Sequence, residues 1–175
     1  VPTPSGSCCK ISSHIEPLAL STMPSSLHRA PRQLDGSEEL SRSSIELAKH
    51  AKSMGAFVFF EPSGYNDLKL FKECLSITDV IKFSKDRIKN YSEVFDSNQV
   101  KLEIETLGAN GMNYRYKSNS WKHVSSFSFS DIKDAAGAGD WCTAGIISQL
   151  AGCASIDSLE PETVESALNY GQVLG

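Results

Sequence analysis

From residue 37 onward the apolar positions follow two alternating rhythms. Leu47, Ala51 and Met54 fall at i, i+4 and i+7, which predicts a helix with one apolar face. Ser43 and Glu46 have the spacing of a capping box, and Gly55 stops the helix. Ala56 to Phe60 is a short unbroken apolar run, the mark of a parallel strand covered on both faces. After a turn at Glu61-Pro62-Ser63-Gly64, Leu68, Phe71 and Leu75 predict a second helix, and Val80 to Phe83 a second buried strand. Ser84 is placed to cap a helix carrying Ile88, Tyr91 and Phe95.

Val100, Leu102, Ile104 and Thr106 alternate with Lys101, Glu103 and Glu105, predicting a half-exposed strand. Met112, Tyr114 and Tyr116 continue the alternation beyond a glycine turn as a hairpin partner, and Trp121 to Phe129 reads as extended. Ala144 to Leu150 has the length of a buried helix. Pro161 opens a last helix whose apolar face is Val164, Ala167, Leu168 and Gly171. Strand alternating with helix implies an α/β fold, a mostly parallel sheet flanked by helices on both faces.

Residues 1–36 differ in kind. They are rich in serine and proline, with Glu16 the one acidic side chain before Asp35, and read as poorly ordered or displaced from the domain formed by 37–175. The patch Pro17-Leu18-Ala19-Leu20 has the character of a strand, and His14 and His28 read as solvated. Such a serine-rich, acid-poor start also has the composition of a plastid or other organelle transit peptide, the alternative to a cytoplasmic location. The chain begins at Val1 and ends inside a predicted helix, so an incomplete fragment is expected.

A net charge of −4 gives no basic footprint for nucleic acid, and no apolar run is long enough to span a membrane. The five cysteines, Cys8, Cys9, Cys74, Cys142 and Cys153, contain no C-x-x-C pair and read as reduced thiols.

The chemistry concentrates at Asp134-Ala135-Ala136-Gly137-Ala138-Gly139-Asp140 and the following Trp141-Cys142-Thr143-Ala144-Gly145. A glycine-bearing turn running into a helix exposes backbone N–H groups beside the positive end of the helix dipole, which suits an anion. Gly137 and Gly139 let a phosphate approach the backbone, and a carboxylate in the first turn, Asp140, suits removal of a proton from an attacking hydroxyl. A small-residue turn ahead of a helix is also common as a plain tight loop. Neither G-x-x-x-x-G-K-[ST] nor G-x-G-x-x-G is present. Trp141, next to Asp140, is expected to pack in the core.

The whole string resembles the signature of the pfkB (ribokinase-like) carbohydrate kinases, usually D-T-T-G-A-G-D. The resemblance implies a ribokinase-like three-layer sandwich. It implies Asp140 as catalytic base, the amides of Gly137, Ala138 and Gly139 as anion hole, and Asp134 as a ligand to a monovalent cation. Ala135 and Ala136 replace the two threonines, removing their hydroxyls but not the backbone donors. Thr106-Leu107-Gly108 and Gly111 resemble the family's T-x-G-x-x-G turn, implying nucleotide contacts at Thr106, Gly108 and Gly111, and Gln172 stands where an adenine-side Asn is often found.

Glu61-Pro62-Ser63 resembles D-P-N, and Lys82 to Arg87 resembles K-x-N-x-x-E with Ser84 and Arg87 in place of Asn and Glu. That Glu orders magnesium-bound water in the family, and an Arg cannot replace it. The resemblance implies a kinase moving the γ-phosphoryl of ATP to an alcohol group of a sugar or nucleoside, with Mg2+ and K+, as a homodimer in the full-length protein. The alternative is a kinase-fold protein that no longer catalyses and serves as a binding or regulatory subunit. The 175-residue fragment by itself is expected to be inactive.

Overall fold

The computed structural model describes residues 8–12, 42–95, 99–117, 120–127, 135–151, 153 and 155–175. Their elements run β1 (Cys8–Ser12), α1 (Arg42–Ser53), β2 (Phe57–Glu61), α2 (Leu68–Ile77), β3 (Val80–Ser84), α3 (Tyr91–Val94), β4 (Leu102–Thr106), β5 (Met112–Tyr116), β6 (Lys122–Val124), α4 (Ala138–Leu150) and α5 (Pro161–Leu174). Single 3-10 turns cover Gly108–Asn110 and Ile156–Ser158. The patch Pro17–Leu20, His14 and His28 lie outside the described residues.

The six strands form one sheet in chain order. β1 to β4 are parallel, and β5 and β6 are antiparallel additions at the far edge. Side chains of a strand alternate between faces, and here both faces are covered. Phe59, Val80, Leu102, Ile104, Met112 and Tyr114 join Cys142, Ile146 and Leu150 of α4 and Val164, Ala167 and Leu168 of α5 in one core. Val58, Phe60, Ile81 and Phe83 turn the other way and meet Ile45 and Ala48 of α1 and Phe71, Cys74 and Leu75 of α2. The unbroken apolar run at 56–60, and the run at 80–83 that Lys82 alone interrupts, are therefore explained by a sheet sandwiched between helix layers. No helix among the described residues is long and apolar enough to cross a membrane.

Three expectations need correction. The buried face of α1 is Ile45 and Ala48, whereas Leu47 and Met54 are exposed; Ser43 lies inside the helix, and Gly55 ends it with a φ of 88°. No helix starts at Ser84. The amides of Arg87 and Ile88 fold back onto the Ser84 carbonyl, Asn90 takes a left-handed conformation, and only the single turn Tyr91–Val94 follows. Ile88, Tyr91 and Phe95 are nevertheless all buried. Third, β4 is not half exposed. Glu103 is fully buried, its carboxylate accepting from Arg115 Nε at 2.5 Å, and the Arg115 guanidinium lies 4.8 Å from the Trp121 ring. A charged position can be inward-facing when its partner sits directly opposite on the next strand, as Arg115 does.

Asp79, just before β3, ties the parallel strands to α1. Its carboxylate accepts from the Val58 amide at 2.9 Å and from Lys52 Nζ at 3.0 Å, and lies 3.3 Å from Lys101 Nζ.

Candidate active site

Glu61, Ser84 and Thr106 are the last residues of β2, β3 and β4, and all three line one cleft of about 440 Å3. The cleft thus opens at the carboxyl ends of parallel strands, where open α/β sheets commonly take ligands. Pro62, Ser63, Lys82, Phe83 and Arg87 extend this wall, and Ala135, Ala136, Gly137, Gly139 and Asp140 close the opposite side.

The loop side is built by the start of α4. Gly137 caps the helix with a φ of 79°, a left-handed value that side-chain-bearing residues rarely adopt. The first intrahelical bond runs from the Trp141 amide to the Gly137 carbonyl at 3.0 Å, so the amides ahead of it have no carbonyl of their own helix to bond. The Ala138 amide donates to the Ala135 carbonyl at 3.2 Å in the preceding turn. Asp140 is exposed to the cleft.

The strand side contributes a part-buried ion pair. Lys82 is 3% exposed, and its Nζ lies 2.5 Å from Glu61 Oε1 and 3.2 Å from the Gly139 carbonyl. The other Glu61 oxygen accepts from the Thr143 hydroxyl at 2.8 Å, and that hydroxyl also lies 3.0 Å from the Gly139 carbonyl. Cys142, beside Thr143, is a buried thiol; burial pushes its pKa up, with Lys82 pulling it down and Glu61 adding to the rise. Arg87 is exposed on the same wall.

Of the residues marked in the sequence, Thr106, Gly137, Gly139 and Asp140 meet in this cleft. Ala138 is adjacent in the chain but not among the lining residues. Gly108, Gly111 and Gln172 also lie outside the lining. At Gly111 a Cβ would fall 2.2 Å from the Val124 carbonyl oxygen, and φ is 86°, so packing against β6 and the following loop accounts for glycine there. Gln172 Nε2 donates to the Ser125 carbonyl at 3.3 Å. Asp134 lies outside the described residues. Trp141 is 63% exposed instead of packed in the core: the α4 stripe that meets the sheet is Cys142, Ile146 and Leu150, and Trp141 falls off it.

The partnership of Glu61, Lys82 and Thr143 was not visible beforehand. Lys82 and Glu61 stand out in the sequence as a lysine inside an apolar strand and an acid ending one, a pattern that permits pairing, but Thr143 carries no signal of its own.

The lining suits a phosphate-bearing ligand. The glycine turn at a helix start and the basic residue Arg87 line one cleft, and its volume is within the range of small-molecule sites. Among the described residues no group of three His, Cys, Asp or Glu is placed to hold one, and Glu61 is held by Lys82 and Thr143.

The architecture is a ribokinase-like α/β fold. A double mutant of the fructokinase from Vibrio cholerae O395, bound to fructose, ADP and potassium, superposes with a TM-score of 0.62 at 24% identity, over 77% of this chain and 48% of the kinase. Aminoimidazole riboside kinase from Salmonella enterica, bound to aminoimidazole riboside and an ATP analogue, gives 0.60 at 19% identity, over 73% and 47%. Ribokinase from Giardia lamblia gives 0.60 at 23%, over 74% and 46%. The chain spans about half the length of these kinases. At such identities the likeness establishes the fold alone. No family model and no curated protein matches the chain.

Proposed function

We propose that this chain is the nucleotide-facing part of a pfkB-type kinase that transfers the γ-phosphoryl of ATP to an alcohol group of a sugar or nucleoside. The observation that carries the reading is the meeting of Asp140 with the Gly137–Gly139 turn in a cleft at the ends of β2, β3 and β4. In this reading Asp140 takes the proton of the acceptor hydroxyl as its oxygen bonds to the γ-phosphorus, and the bond from that phosphorus to the bridging oxygen of ADP breaks. The amides of Gly137 and Gly139 hold the negative charge of the transferring group, while that of Ala138, between them, is engaged with the Ala135 carbonyl. Thr106 borders the phosphates, and Gly108, Gly111 and Gln172 lie toward the nucleoside side. Asp134 holds a monovalent cation, K+, near the loop. Mg2+ reaches this site on the ATP phosphates rather than in a protein cage.

General-base assistance contributes about 10²–10⁴-fold in rate. Asp140→Asn in the full-length protein should lower kcat by that factor in an ADP-coupled assay run over a panel of sugars and nucleosides; near-normal kcat sinks the role. A second reading, a kinase-fold protein without catalysis, is favoured by one feature of the cleft: it presents Arg87 and a carboxylate, Glu61, already bound to Lys82. Failure of the wild-type protein to turn over any acceptor, together with ATP binding, would select that reading. Cys8–Ser12 pairs with β2 in the same sheet, so this part of the 1–36 segment is grouped with the domain of residues 37–175.

A further inference from the structure

We infer that Lys82, Glu61 and Thr143 form a positioning network that sets the first turn of α4, and through it the Asp140 amide and carboxylate. This rests on the kinase reading above. Lysine is almost never buried to this degree unless paired. Lys82 is paired in a particular way: one contact is to an acid at the end of β2, the other to the carbonyl of Gly139 in the α4 first turn. A helix carbonyl ordinarily serves only the amide four residues on. At Gly139 an ammonium is added, and the Thr143 hydroxyl lies within reach as well.

Because one hydroxyl has one hydrogen, Thr143 shares it between Glu61 and that carbonyl. Residues 61, 82, 139 and 143, from two strands and one helix, are thereby fixed at a single point, with Lys82 and Thr143 buried. A buried ion pair is often replaceable by apolar side chains with little loss of stability, so stability alone does not explain its presence. Its location does. Moving the Gly139 carbonyl moves the peptide that follows it, whose N–H belongs to Asp140. Lys82 also cancels the charge of Glu61 on the wall of a cleft that must accept phosphate; without it an uncompensated carboxylate would repel the ligand.

The test uses the full-length protein and four variants: Thr143→Val, Thr143→Ser, Lys82→Met, and Lys82→Met combined with Glu61→Gln. Thr143→Val should lower kcat at least ~10-fold with KM for ATP within about threefold, and Thr143→Ser, which keeps the hydroxyl, should stay within about twofold of wild type. Lys82→Met should be the most damaging, and adding Glu61→Gln should recover part of the loss, because the two changes act on one pair. A lower melting temperature with kcat unchanged in Thr143→Val would overturn the proposal, reducing the network to a structural one.

Peptide-level amide hydrogen exchange supplies an arm independent of turnover. Thr143→Val should speed exchange in residues 137–146, Thr143→Ser should not, and α5 should be unaffected. Equal exchange in Val and Ser variants also overturns the proposal. If wild type phosphorylates nothing, the kinase reading fails, while the exchange comparison still decides the network.

Discussion

Gly171 of α5 sits directly against Gly145 of α4: a Cβ built on Gly145 would lie 2.9 Å from the Gly171 Cα, and one on Gly171 would lie 2.6 Å from Ile146 Cγ1 and 2.8 Å from the Cys142 carbonyl oxygen. The two helices touch through backbone, and α4 is the helix that presents the candidate site. Alanine would gain about 1 kcal/mol of helix propensity over glycine. Against that, overpacking usually costs ~1–3 kcal/mol, and a clash with a backbone carbonyl has no rotamer that relieves it. We expect Gly171→Ala to lower stability by about 1 kcal/mol or more, read as a fall in the urea midpoint with unchanged slope. A stabilised variant would mean that the helices separate more freely than this contact allows.

Gly111 is more constrained. Its φ of 86° disfavours any side chain, and a Cβ there would meet the Val124 carbonyl oxygen at 2.2 Å and the Ser126 amide nitrogen at 2.7 Å. Both objections are to backbone, so neither yields to a side-chain rotation. Gly111→Ala should cost ~3 kcal/mol or more. The loss should be the same with and without ATP in a thermal-shift measurement, if packing against β6 is the main reason for glycine. Gly108 has a φ of 58° but open space around its Cβ position, so Gly108→Ala should cost only about 1 kcal/mol from strain.

What the sequence made legible follows from how local each signal is. The buried face of α5, Val164, Ala167, Leu168 and Gly171, was readable because a proline start and a 3.6-residue period both lie within one element. The cleft-facing loop at 137–140 was readable because its glycines and acid are contiguous. The α1 face was misread because Leu47 and Met54 are as apolar as Ile45, and periodicity alone cannot say which of two stripes meets the sheet. The burial of Glu103 depends on Arg115 across the hairpin, and the hold on Gly139 depends on Lys82, 57 residues earlier. Pairings of that kind belong to topology, which no single stretch encodes.

Cys74 offers a check by pH. Burial of this α2 residue pushes its thiol above its ordinary value, up to about 11, with Glu73 adding to the rise and Lys49 opposing it. The folded thiol therefore keeps its proton in a range where the unfolded one has lost it. Its contribution to stability is fully present below pH ~8.5 and is lost as pH rises toward 11, amounting to about 1–3 kcal/mol. Urea unfolding from pH 8 to 10.5 should show stability falling with pH, and Cys74→Ala should flatten that fall while lowering the starting value. The same burial predicts that iodoacetamide at pH 8 leaves Cys74 unmodified until urea is added. An identical pH slope in the variant would count against the shift.

Arg87 brings a positive charge to a wall that also holds the neutralised pair Glu61–Lys82, opposite the start of α4. An exposed guanidinium facing a polyphosphate is a screened interaction, strengthened by bidentate geometry when it forms. Under the kinase reading, Arg87→Ala should weaken ATP binding about fivefold at low salt, corresponding to ~1 kcal/mol. Arg87→Glu should weaken it further by placing like charge against the phosphates. Raising ionic strength to about 0.5 M should bring wild type and Arg87→Ala together, since the Debye length there is only a few ångströms. Adenosine, which has no phosphate, should bind all three alike. Isothermal titration of ATP and adenosine at two salt concentrations reads each of these outcomes. An ATP affinity indifferent to both substitution and salt would place the phosphates away from β3 and leave the loop at Gly137–Gly139 to hold them without help from that wall.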